Sequence, residues 1–91
     1  MNEYQRNCKR RLEGILQTRA VPVHKVSHGS LNGSSSYCFV LEPWASKLDL
    51  VEISSSSQKC FRKATVKLGK GAHPSYAPEL NFPTIYLTFD K

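Results

Sequence analysis

Long apolar runs are the first thing this chain lacks. No segment approaches the roughly 18 to 20 consecutive apolar residues that cross a bilayer, and the opening residues, Met1 to Cys8, are too polar for the apolar region of a secretory signal. Membrane contact is therefore not expected, and a cytoplasmic location is. Cysteine is scarce: Cys8, Cys38 and Cys60 form an odd set of 3 with no short spacing, which argues against a disulfide framework and for buried thiols. Several signatures are missing outright. There is no C-x-x-C, no G-x-S-x-G nucleophile elbow, and no G-x-x-x-x-G-K-[ST] phosphate loop, because Gly69-Lys70-Gly71 is too short and Pro74 follows it. His24 and His28 are four apart, as on a zinc-binding helix. Pro22, Gly29 and the neighbouring valines argue for a strand instead, where that spacing does not converge on one ion. No metal site and no cofactor are expected.

Acidic residues are also few, 7 against 13 Lys and Arg, for a net charge of +6. The imbalance lies at the two ends of the chain. Residues 1–20 carry 5 basic and 2 acidic groups and residues 59–91 carry 6 and 2, while residues 21–58 are nearly neutral. A basic surface of this kind suits a polyanionic partner, RNA or DNA, and is equally compatible with plain solvation. With 91 residues and 40% apolar content, one small domain is expected, burying roughly 60 to 65% of the surface of its unfolded chain.

The patterning predicts an α+β fold, with an N-terminal amphipathic helix on a small antiparallel sheet of four to five strands. Asn2 followed by Gln5 reads as an N-cap with its reciprocal partner. Tyr4, Cys8, Leu12, Ile15 and Leu16 then recur at helical spacing, giving a helix over 3–17 with Arg6, Lys9 and Arg10 on its other side. Strands are expected at 21–27, 37–41, 47–53, 60–68 and 83–89. Residues 28–36 read as a long hairpin loop around Asn32-Gly33, and Ser54 to Ser57 as a flexible connection. Strand 47–53 competes with a helix, since Trp44, Leu48 and Val51 also fit helical spacing. A partly open barrel plugged by the helix would share most of these contacts.

The most informative stretch runs from Cys60 to Phe89. Cys60, Ala64, Val66 and Leu68 alternate with Lys63, Thr65 and Lys67, and Ile85, Leu87 and Phe89 alternate with Thr84, Tyr86 and Thr88. Two such strands would pair, bury one face, and show lysines and a tyrosine on the other. Between them Lys70, His73 and Tyr76 place a cation, an imidazole and a phenol on one loop. These are the groups that metal-free RNA cleavage needs as cation, base and acid, and equally the groups that bind phosphate without chemistry. Tyr86 is a candidate to stack on bases, whereas Trp44 and Cys38 read as core.

Arg62-Lys63-Ala64-Thr65-Val66, the basic loop with Pro74 and Tyr76, and Pro83-Thr84-Ile85-Tyr86-Leu87 resemble the opening of SymE-type toxins, with Phe89 where that family has a glycine. The resemblance implies a bacterial nucleic-acid-binding or RNA-cleaving protein of the toxin–antitoxin kind, and residues 1–58 carry no part of it.

The expected function is sequence-tolerant binding of RNA or DNA through Arg62, Lys63, Lys67, Lys70 and Tyr86, assisted by Arg6, Lys9 and Arg10. The alternative is a protein-interaction module or inhibitor using a sheet edge or Trp44. A third reading is a metal-independent RNase toxin acting through Lys70, His73 and Tyr76.

Overall fold

The computed structural model describes residues 2–31, 33–71 and 82–90. Its elements are α1 (Glu3–Thr18), β1 (Val23–Leu31), β2 (Ser34–Leu41), a short 3-10 helix (Pro43–Lys47), α2 (Leu50–Gln58), β3 (Ala64–Gly71) and β4 (Phe82–Phe89). The strands form one antiparallel sheet in the order β1-β2-β4-β3. The fold is α+β with an N-terminal helix on a four-stranded antiparallel sheet, as the periodicities predict.

Local chemistry explains where α1 begins and ends. Asn2 Oδ1 accepts the Gln5 N–H at 2.8 Å and Gln5 Oε1 accepts the Asn2 N–H at 3.4 Å, the reciprocal cap read from the sequence. At the other end Ala20 N–H donates to Gln17 O at 3.0 Å and Val21 N–H to Leu16 O at 2.8 Å. That closure needs a left-handed residue, usually glycine, and here Ala20 supplies it at φ 57°. Cys8, Leu12 and Leu16 are buried against the sheet, while Tyr4 stays 47% exposed and packs edge-on to Phe89.

Three sequence expectations are corrected. Residues 47–53 are not a strand: Pro43–Lys47 is a 3-10 helix and α2 begins at Leu50. Asp49 caps α2 by accepting the Glu52 N–H at 3.1 Å. Leu50, Ile53, Ser54 and Ser57 then form its buried face, so the serines taken for a linker are the small side chains that let α2 lie close to β3. Ser57 makes its burial tolerable by donating to Ile53 O at 2.7 Å. Second, the loop of residues 28–36 is mostly ladder. β1 and β2 stay in register up to Leu31 opposite Ser34, and Gly33 has φ 81°, a turn conformation that glycine adopts at no steric cost. Third, β3 begins at Ala64 rather than Cys60 and continues through Gly69, Lys70 and Gly71, opposite Thr84, Pro83 and Phe82.

Both helices contribute to one core on one side of the sheet, where Leu12, Leu16, Phe39, Leu41, Ile85 and Leu87 are fully buried. Each such side chain stabilises the fold by about 1.5 to 3 kcal/mol. Outside this core, the Gln58 side chain serves the outer edge of β3 as a short strand would. Its Nε2 donates to Ala64 O at 3.0 Å and its Oε1 accepts from Val66 N–H at 2.7 Å.

Candidate nucleic-acid interface

Strand alternation leaves a second face that neither helix covers. Because Val26, Tyr37, Phe39, Leu41, Ala64, Val66, Ile85, Leu87 and Phe89 all face the core, the residues between them face the other way. The ladder register sets these in rows. The central row reads Ser27, Cys38, Tyr86, Lys67 from one edge strand to the other, each residue the direct partner of the next. On one side of it lie Gly29, Ser36, Thr88 and Thr65, and on the other Lys25, Val40, Thr84 and Gly69. No position in these rows is a carboxylate, and lysines stand at both margins.

Tyr86 is the aromatic centre of this face. Its ring is seated by Gly69 on the neighbouring strand, where a Cβ would lie 2.8 Å from the ring carbon Cε2. Cys38 stands directly beside Tyr86 in the ladder, with Ser27 on its other side. Burial pushes the Tyr86 hydroxyl above its ordinary range, and the neighbouring Cys38 adds to the shift. Burial likewise raises the Cys38 thiol, with the neighbouring Ser27 and Tyr86 hydroxyls pulling in the opposite direction. A thiol raised in this way stays protonated near neutral pH and is a poor nucleophile. Cys38 sits half-buried on the open face, not in the core where its apolar neighbours had put it.

One end of the face is closed. Val40, Phe82 and Thr84 are buried there, and the His24 ring stacks on Phe82 at 6.3 Å between centroids. His24 Nδ1 lies 2.8 Å from Glu42 Oε1. His28 instead meets Tyr37 on the helix side of the sheet, so the two histidines occupy opposite faces. No metal-holding cluster occurs among the described residues.

The sequence-predicted site residues are not all brought together. Lys67 and Tyr86 are direct partners on the open face. Arg62 and Lys63 are exposed but precede β3, in the bend that links it to α2. Lys70 lies in β3 and not on a loop; its side chain, and the whole of His73 and Tyr76, lie outside the described residues. Arg6, Lys9 and Arg10 belong to α1, on the other side of the sheet. Lys9 is occupied there by an ion pair to Glu13 at 3.4 Å and by the Tyr37 ring, 5.9 Å from its Nζ. The basic groups therefore form two surfaces separated by the thickness of the sheet. Sequence reading missed Lys25, whose register opposite Val40 becomes visible only once the hairpin is closed at Gly33. It also took Trp44 for core, whereas the short 3-10 helix leaves that side chain 55% exposed.

Comparison with protein-family models, curated proteins and solved structures finds no match to this chain. Among the described residues no helix is long and apolar enough to cross a membrane.

Proposed function

We propose that this chain binds single-stranded RNA or DNA, with little sequence preference, across the sheet face that carries Tyr86. The observation that carries the reading is the central row: a seated, half-buried tyrosine directly beside Lys67, with Lys25 at the far margin and no carboxylate in the neighbouring rows. An aromatic ring on an open sheet stacks on any base, a contact worth about 1 to 3 kcal/mol, and flanking lysines neutralise the backbone without reading sequence. Of the hydroxyls on this face, those of Ser27 and Thr65 are partly exposed and can donate to phosphate and sugar, whereas Ser36 and Thr84 are buried.

Fluorescence anisotropy with a labelled 12-nucleotide single strand at several salt concentrations tests the reading. Two or three phosphates neutralised by Lys25, Lys67 and one neighbour give a log–log slope of about −1.5 to −2. Tyr86→Ala lowers affinity about tenfold or more. Absence of binding at the lowest salt overturns the proposal. It would favour the protein-interaction reading, which is supported by the exposure of Trp44, Val51 at 67% and Leu68 at 39%.

A further inference from the structure

On the opposite side of the sheet, the first turns of α1 and the segment leading into β3 enclose a groove of about 370 Å³. Tyr4, Asn7 and Arg11 line it from one stripe of the helix with the buried Cys8 at its floor, and Cys60 and Arg62 line it from the facing segment, over buried Phe61. Spacings of three and four place the helical residues one above another. Arg11 Nη1 donates to Cys60 O at 3.2 Å, which ties the segment to the helix and fixes where the guanidinium stands. A guanidinium carries five N–H donors, so this bond leaves most of Arg11's donors for another acceptor. Arg62 brings a second exposed guanidinium and Asn7 a side-chain amide. No carboxylate is among the lining residues.

We infer that this groove is a binding site for a phosphate monoester. Two arginines and an amide match a tetrahedral group with three strong acceptor oxygens and a charge of about −1.5 to −2 at neutral pH. A carboxylate has one charge and two oxygens, and a single arginine satisfies it. The groove volume admits the phosphate together with the sugar or ring that bears it, with the exposed Tyr4 ring as an apolar neighbour. The inference does not depend on the function proposed for the other face of the sheet.

Cys60 provides the readout. It is exposed within the groove, whereas Cys8 is buried and Cys38 is half-buried with its thiol held protonated. The rate at which iodoacetamide alkylates Cys60 in the full chain, assigned by peptide mass, is measured in inorganic phosphate, phenyl phosphate, acetate and chloride at matched ionic strength. Phosphate and phenyl phosphate slow the reaction saturably, with a Kd of about 1 to 10 mM and about a tenfold loss of rate at ten times Kd. Acetate and chloride do not. Arg62→Gln abolishes the protection, whereas Arg10→Gln, with the charge change placed elsewhere on α1, keeps it. Tyr86→Ala also keeps it, so failure of the stacking face and failure of this groove are separate results. A 5′-phosphorylated oligonucleotide compared with its 5′-hydroxyl form identifies the source. Protection by the phosphorylated strand assigns the site to a nucleic-acid end, and protection by small esters alone assigns it to a free phosphorylated compound. Absence of protection by any phosphate overturns the inference, as do equal protection in Arg62→Gln, by acetate, or by the 5′-hydroxyl strand.

Discussion

The two faces of one sheet are built from the same four strands, yet they differ in nearly every property. The helix-covered face presents Tyr37, Phe39, Leu41, Ile85, Leu87 and Phe89, all buried and in mutual contact. The open face presents serine, threonine, cysteine and glycine around a single tyrosine, with lysine at the margins. A period of two allows both compositions to coexist in one strand, because neighbouring residues never share a face. The consequence is a division of labour: residues that hold the fold together can be separated from residues free to meet a ligand by moving one position along the chain. Phe39 and Cys38 on β2, or Leu87 and Tyr86 on β4, are such pairs.

The sharpest test of that division exchanges neighbours. Phe39→Ala removes a ring that is 0% exposed and is expected to cost about 3 to 5 kcal/mol, enough to unfold a large share of the molecules in a domain of this size. Cys38→Ala, one residue away, is expected to cost about 1 kcal/mol or less. Urea denaturation followed by circular dichroism measures both. Equal losses would mean that the open face is as much a part of the core as the covered one.

The next effect lies in binding rather than folding. Gly69→Ala puts a methyl carbon where the Tyr86 ring now sits, 2.8 Å from its Cε2, so the ring must move off its seat. Affinity for a single-stranded oligonucleotide is expected to fall by about 1 to 2 kcal/mol, close to the loss from Tyr86→Ala itself. Stability should change by no more than about 1 kcal/mol. If Gly69→Ala leaves affinity intact while Tyr86→Ala removes it, the seat is irrelevant and only the presence of a ring matters.

These comparisons also indicate what was legible beforehand. The alternation over residues 64–68 and 85–89 identified the β3–β4 pair and its two faces, because every position there agrees with a period of two. Helix α1 was equally plain from its cap and its apolar stripe. What escaped were elements whose composition argues against their structure. Four serines in a row have no helical signal of their own, and α2 is helical because Asp49 caps it and because Leu50, Ile53 and two of those serines pack on the sheet. Likewise Ser34 to Ser36 form a strand only because β1 pairs with all three and β4 with Ser36. For the candidate site, alternation alone put Lys67 and Tyr86 on the same face of the β3–β4 pair, but a period of two leaves the register open, and their direct pairing is a finding of the structure. The placement of Arg62 beside Arg11 was not legible either, since it depends on how far α1 lies from the segment before β3, and no local pattern encodes that distance.

A smaller effect probes the covered side from its rim. Ala20 closes α1 in the left-handed region at φ 57°, where a side chain costs about 1 kcal/mol relative to glycine. Ala20→Gly is expected to raise stability by about 0.5 to 1 kcal/mol and to leave oligonucleotide affinity unchanged. Melting curves and one binding titration decide it. A loss of stability would show that the flexibility glycine adds to the unfolded chain outweighs the relief of strain.

The smallest effect separates surface electrostatics from both faces. Arg19, just past the end of α1, pairs with Glu52 on α2, and both side chains are open to water. The hydrogen bond to Arg19 holds the Glu52 carboxyl below the ordinary carboxylate range, and Glu52 in turn raises the Arg19 guanidinium. A carboxylate whose folded pKa is depressed stabilises the fold above its unfolded pKa of about 4.3, and that contribution disappears as the pH falls through the folded value. Arg19→Gln should therefore lower the Tm slightly at pH 7, with the difference from the parent protein shrinking as the pH falls below about 4 and the Glu52 carboxylate is protonated. Added salt should shrink it at pH 7 as well, because the pair is exposed. A Tm difference that persists unchanged at low pH would mean that Arg19 acts through packing at the end of α1. The charge pair would then be incidental to the way the two helices are held on the covered face.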